Sequence, residues 1–130
     1  MKRKAGATLQ DAQRLARAAR WDGAANRAYY AVYQALVGEF EKRGLRAAQF
    51  APGDPRYPEK WPHWLVVANC RAVGLSSREA ELVSTAERLR VRADYEEGAV
   101  NSVDVQDVLT RIPSLFDGLG VRRGSEGDAS

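Results

Sequence analysis

"NRAYYAVYQAL", Asn26 to Leu36, decides the fold class. Extended to both sides it gives Ala25, Ala28, Tyr29, Val32, Leu36 and Phe40, apolar residues that return every third or fourth position. That period is the apolar stripe of an amphipathic helix, and a strand would need alternation instead. The spacing predicts a helix over Gly23 to Arg43, with Asp22 placed to cap it and Gly44 to stop it. The paired tyrosines divide. Tyr29 falls in the stripe and belongs to the core, whereas Tyr30 lies about 100° further round the helix and shares a face with Asn26 and Gln34.

The same period recurs outward in both directions. Leu9, Ala12, Leu15, Ala16 and Ala19 predict a helix over Thr8 to Arg20, preceded by a basic extension at residues 1–7. The turn "WDG" separates it from the next helix. Residues 44–62 hold four of the five prolines, so a long surface loop is expected there. Pro62 then opens a shorter helix over His63 to Val73, which Gly74 closes. Ser76 and Glu79 have the spacing of a capping box and start a helix that carries Leu82, Ala86 and Leu89 to about Tyr95. A last helix begins near Asn101 or Ser102, and Pro113 is expected to kink or end it after Ile112. The tail at 120–130 is polar and reads as disordered. With no run of strand-like alternation, the expected fold is all-α: an antiparallel up-and-down bundle of four to five helices spanning 8–119.

At 130 residues, with 45% hydrophobic and 28% charged side chains, the chain has the size and composition of one folded domain. The single Cys70 allows no internal disulfide, and one histidine is too few for a usual zinc site, so no metal is expected. No apolar run reaches the roughly 20 residues of a membrane span. The basic start "MKRKAGATLQ" is followed by no signal-like segment, and a cytoplasmic protein without a membrane partner is expected. A net charge of +3 and a pI near 9.2 give mild attraction to polyanions such as RNA or nucleotide phosphate.

No phosphate-binding loop, serine-hydrolase elbow or zinc-protease motif occurs. What remains is a polar set on otherwise apolar helices: Asn26 and Tyr30, then His63, then Arg90, Arg92, Asp94 and Tyr95. Arg90 and Asp94, four apart, form an ion pair along one helix face in the plainest reading. Yet a carboxylate at a helix C-terminus opposes the helix dipole, so Asp94 is expected to find a further partner on another element. The loop interleaves Arg46, Arg56 and Lys60 with Phe50, Tyr57 and Trp61. That mixture suits single-stranded nucleic acid, or equally pins the loop to the body through its rings.

"NRAYYAVYQAL" followed about sixty residues later by "LRVRADYEEG" resembles the HEPN family, the higher eukaryotes and prokaryotes nucleotide-binding domain. The branch it resembles carries a small polar residue, Arg, two tyrosines and Ala on helix two, a histidine opening helix three, and Arg-x-x-Ala-Asp-Tyr ending helix four. Here those are Asn26, Arg27, Tyr29, Tyr30 and Ala31, then His63, then Arg90, Ala93, Asp94 and Tyr95. The likeness spans roughly residues 8 to 118. It implies a helical bundle, commonly a homodimer, whose polar end of helix four faces a shared cleft. Many members are metal-independent ribonucleases, in toxin-antitoxin pairs with a small nucleotidyltransferase antitoxin or in antiphage defence.

The family's catalytic signature is Arg, four to six residues, then His, and this chain departs from it, because Tyr95 stands where the histidine would be. A phenol with a pKa near 10 exchanges protons poorly at neutral pH, so binding is expected to outlast catalysis. Arg56 and His63 do enclose six residues, but they lie in the proline-rich segment and not on helix four. The expectation is therefore a nucleotide- or RNA-binding module without cofactor. Its ligand residues are Asn26, Tyr30, Arg90, Arg92, Asp94 and Tyr95, and its partner is a minimal nucleotidyltransferase. The alternatives are a ribonuclease toxin using Arg90 with His63, and a non-catalytic dimerisation module.

Overall fold

Helix α2, Trp21–Lys42, is the axis around which the other elements pack. A computed structural model describes residues 1–50, 61–96 and 100–121. Within them lie α1 (Lys2–Arg17), α2, a one-turn α3 (Ala47–Phe50), α4 (His63–Asn69) continued by a 3-10 turn (Cys70–Val73), α5 (Ser77–Tyr95) and α6 (Ser102–Leu119). The fold is all-α, and no strand occurs among the described residues.

Contacts at the helix ends give the directions. Lys2, at the start of α1, meets Glu39 near the end of α2 and donates to the Leu119 carbonyl at the end of α6 at 2.7 Å. Asn26 near the start of α2 meets Asp94 near the end of α5, and the start of α5 approaches the end of α6 where Glu79 lies beside Gly118. Thus α1, α2, α5 and α6 run alternately up and down, as the apolar periodicity predicts.

Alanines make the α1–α2 seam close. Ala5, Ala12, Ala24, Ala28, Ala31 and Ala35 are all buried, and a methyl group built on Gly38 would sit 2.7 Å from Lys2 Cγ. Larger side chains fill the remainder, with Tyr29, Leu36, Phe40, Ile112 and Phe116 almost wholly removed from water. Each buried apolar side chain of that size stabilises the fold by about 1.5–3 kcal/mol relative to exposure.

Several boundaries differ from the sequence reading. α1 starts at Lys2, so residues expected to precede the bundle form its first turns, with Ala5 and Gly6 buried. It also stops at Arg17, and Ala19, placed by spacing on the apolar stripe, is exposed with φ 56° in the linker. Asp22 does not cap α2: it lies in the first turn, where a carboxylate suits the helix dipole. Ser76 and Glu79 do form the capping box, at 3.2 and 2.8 Å.

Pro113 neither ends nor replaces the last helix. α6 runs through it to Leu119, because Leu115, Phe116 and Leu119 beyond the proline are buried and hold the last turns in place. Val121 is buried too, so packing extends past the expected end of the bundle, while 122–130 lie outside the described residues.

The 44–62 segment is partly structured. Phe50 and Trp61 pack on Phe40, with ring centroids 5.9 and 4.4 Å away, so these two rings pin the segment to the body and are not free to stack on bases. Arg56, Tyr57 and Lys60 lie outside the described residues. No described helix is long and apolar enough to cross a membrane.

Candidate functional site

Three helices bring polar side chains together at one end of the bundle. On α2, Asn26, Tyr29, Tyr30 and Tyr33 project from one broad face, since positions three and four apart are neighbours on a helix surface. The last turns of α5 supply Arg90 and Asp94. Pro62, extended at ψ 150°, sets the entry to α4 and places His63 in its first turn.

A chain of hydrogen bonds joins α2 to α5. Arg27 donates through Nε and Nη2 to Asn26 Oδ1 at 3.1 and 2.8 Å. With its oxygen so engaged, the Asn26 amide turns its Nδ2 donor to Asp94 Oδ1 at 3.4 Å. The other carboxylate oxygen, Oδ2, accepts from Arg90 Nη1 at 3.1 Å. Asp94 therefore has the tertiary partner that its position at a helix C-terminus calls for.

Beneath this chain lies an aromatic cluster. The Arg90 guanidinium sits over the Tyr29 ring, 5.0 Å from its centroid, and Arg27 sits over Tyr30 at 5.2 Å. Tyr29 Oη and His63 Nδ1 are 2.8 Å apart and share a hydrogen bond. The imidazole is enclosed by three tyrosines, with centroids at 5.4 Å from Tyr29, 5.4 Å from Tyr30 and 4.4 Å from Tyr33. Tyr33 in turn donates to the Trp61 carbonyl, tying the segment before α4 to α2.

Burial and charge set the protonation of the cluster. Burial pushes the Tyr29 phenol well above its ordinary range; nearby Glu87 adds to the rise and Arg90 opposes it. Tyr33 is raised by burial as well. His63 is lowered, first by burial and then by the Arg90 charge, so the imidazole is neutral at neutral pH. A neutral ring holds one proton, so His63 donates to Tyr29 when that proton is on Nδ1 and accepts from it when the proton is on Nε2. Arg90 is only 18% exposed, and its buried Nε has no hydrogen-bond partner among the described residues.

Of the residues singled out from sequence, Asn26, Arg90 and Asp94 meet directly, and Tyr30 borders them through Arg27 and His63. Arg92 and Tyr95 do not join them. Both are exposed, Tyr95 at 82%, because they lie about 200° and 140° round the helix from Arg90. The sequence reading left Arg27, Tyr29 and Tyr33 out of the ligand residues, and the cluster uses all three. Tyr29 was legible only as core, and it is core: its ring is buried and its hydroxyl reaches the site. The signal for Tyr33 is its spacing of four from Tyr29.

Among the described residues no three His, Cys, Asp or Glu side chains group as metal ligands would. No protein-family model, curated protein or solved structure matches the chain.

Proposed function

We propose that the protein is a HEPN-type module that binds nucleotide or RNA phosphate through Arg90, as a homodimer working beside a minimal nucleotidyltransferase of a toxin-antitoxin or defence system. The observation that carries the proposal is the convergence of Arg90, Asn26, Asp94 and His63 from three helices around the Tyr29 ring. Arginine offers phosphate a permanent charge and a planar pair of donors. The tyrosine beneath holds that plane in one orientation, which lowers the entropy lost on binding. Arg27 adds a second positive charge to the same seam.

Calorimetric titration with adenosine monophosphate tests the reading. Saturable binding by the wild type that Arg90→Ala weakens at least about tenfold, with the fold retained, supports it. Equal heats from both proteins would refute it.

A second reading has one observation in its favour. His63 stands beside the Tyr29 that carries Arg90, and a neutral imidazole that donates its Nδ1–H to the Tyr29 hydroxyl keeps Nε2 free to accept the proton of a ribose hydroxyl. The protein would then be a metal-independent ribonuclease, with Arg90 facing the phosphate and His63 as base. Metal-free incubation with single-stranded RNA decides: cleavage lost in both His63→Ala and Arg90→Ala supports catalysis, and no cleavage above the double variant eliminates it.

A further inference from the structure

The Asp94 carboxylate occupies the position that an anionic ligand of Arg90 would take. One oxygen accepts from Arg90 Nη1 and the other from Asn26 Nδ2, so both donors converge on a single anionic group. That group is easily released. Asp94 is 37% exposed and lies one residue from the end of α5, where the helix dipole disfavours a negative charge. Arg90 cannot turn away in its place, being held over the Tyr29 ring and largely buried.

We propose, building on the phosphate-binding reading above, that Asp94 is an internal competitor that lowers the site's affinity for every phosphate, so that only the more highly charged phosphate monoesters bind appreciably. A diester carries one negative charge, the same as the carboxylate it would displace, and gains nothing by the exchange. A terminal phosphate carries about −1.5 to −2 at neutral pH and three acceptor oxygens, enough to replace both contacts and to draw on the Arg27 charge next to Asn26. The ligand class is thus a free nucleoside monophosphate or a 5′-phosphorylated RNA end, and not the internal backbone of RNA.

The test uses fluorescence anisotropy on the full chain with two single-stranded oligoribonucleotides of one sequence, one 5′-phosphorylated and one 5′-hydroxyl. Adenosine monophosphate serves as competitor. The wild type is expected to hold the phosphorylated strand about tenfold more tightly, a gap of one terminal charge-assisted contact. In Asp94→Asn both strands gain affinity by a similar factor, because displacing the carboxylate costs each of them the same. Competition by the mononucleotide at equal affinity identifies the phosphate alone as the ligand, whereas weak competition assigns the site to RNA ends; both outcomes keep the monoester rule. Equal binding of the two strands by the wild type, or no gain in affinity by either strand in Asp94→Asn, overturns the inference while leaving phosphate binding at Arg90 standing. If neither strand nor the mononucleotide binds either protein, the phosphate-binding reading falls and this inference with it. Asp94→Ser, which removes the charge with a smaller side chain, should match Asp94→Asn, and a difference between them would show that the amide itself supplies the contact and sink the charge-competition rule.

Discussion

His63 shows how one side chain takes its chemistry from its neighbours. Packing among three tyrosines and facing the Arg90 charge, it holds its proton less tightly in the fold than its ordinary 6.5. The sign follows from linkage. Below pH 6.5 the unfolded chain takes up a proton at this position that the folded chain resists, so stability is lost as pH falls from that point. Denaturant midpoints measured from neutral to mildly acidic pH should therefore decline in the wild type. In His63→Gln that decline should flatten, and the Tyr29 hydroxyl should lose a hydrogen bond worth about 1 kcal/mol. Parallel profiles for the two proteins would show that another group titrates.

At the scale of elements, the helices whose apolar residues repeat without interruption were readable from sequence, and those settled by distant packing were not. α5 begins at its capping box and α2 stops ahead of Gly44, which adopts the positive φ of 71° that ends helices. Local chemistry decides both. By contrast, α1 extends back to Lys2 because Ala5 and Gly6 are buried and Lys2 reaches Glu39 of α2, contacts that no local pattern in "MKRKAGA" announces. α6 survives Pro113 for the same reason, since Phe116 and Leu119 beyond it are buried against the bundle. The proline removes one helix hydrogen bond and that loss is tolerated, not absent. Pro113→Ala should raise unfolding free energy by up to about 3 kcal/mol, read from urea denaturation. A neutral or destabilising result would mean that the ring itself packs well.

Across the whole molecule, two ends have different duties. At one end Lys2, Glu39, Arg43 and the Leu119 carbonyl lock α1, α2 and α6 together. Burial alone would raise the Glu39 pKa, but hydrogen bonds from Lys2 and Arg43 outweigh it and hold the carboxyl below its ordinary 4.5. Its stabilising effect is present above that value and fades as pH drops through the lower folded one. Glu39→Gln should cost about 1–2 kcal/mol near neutral pH, discounted because Arg43 is half exposed, and should unfold with a shallower acid limb. Circular dichroism against pH checks both.

The other end carries the polar cluster, and there the sequence was legible in part. Spacing put Arg90 and Asp94 on one face and Asn26 beside Tyr30, but only the crossing of α2 and α5 decides that Asn26 meets Asp94 while Arg92 and Tyr95 face outward. The contribution of His63 was not legible either, because only the tertiary packing of α4 on α2 brings it against Tyr29, Tyr30 and Tyr33.

The decisive measurement is the Nε–Hε resonance of Arg90 in nitrogen-labelled protein, followed by NMR through a titration with adenosine monophosphate and assigned with Arg90→Lys. A saturable shift at Arg90, with the exposed Arg3 and Arg71 unmoved, is the expected result. Shifts confined to the exposed arginines, with Arg90 unchanged at saturation, would contradict the assignment of this seam as a phosphate site.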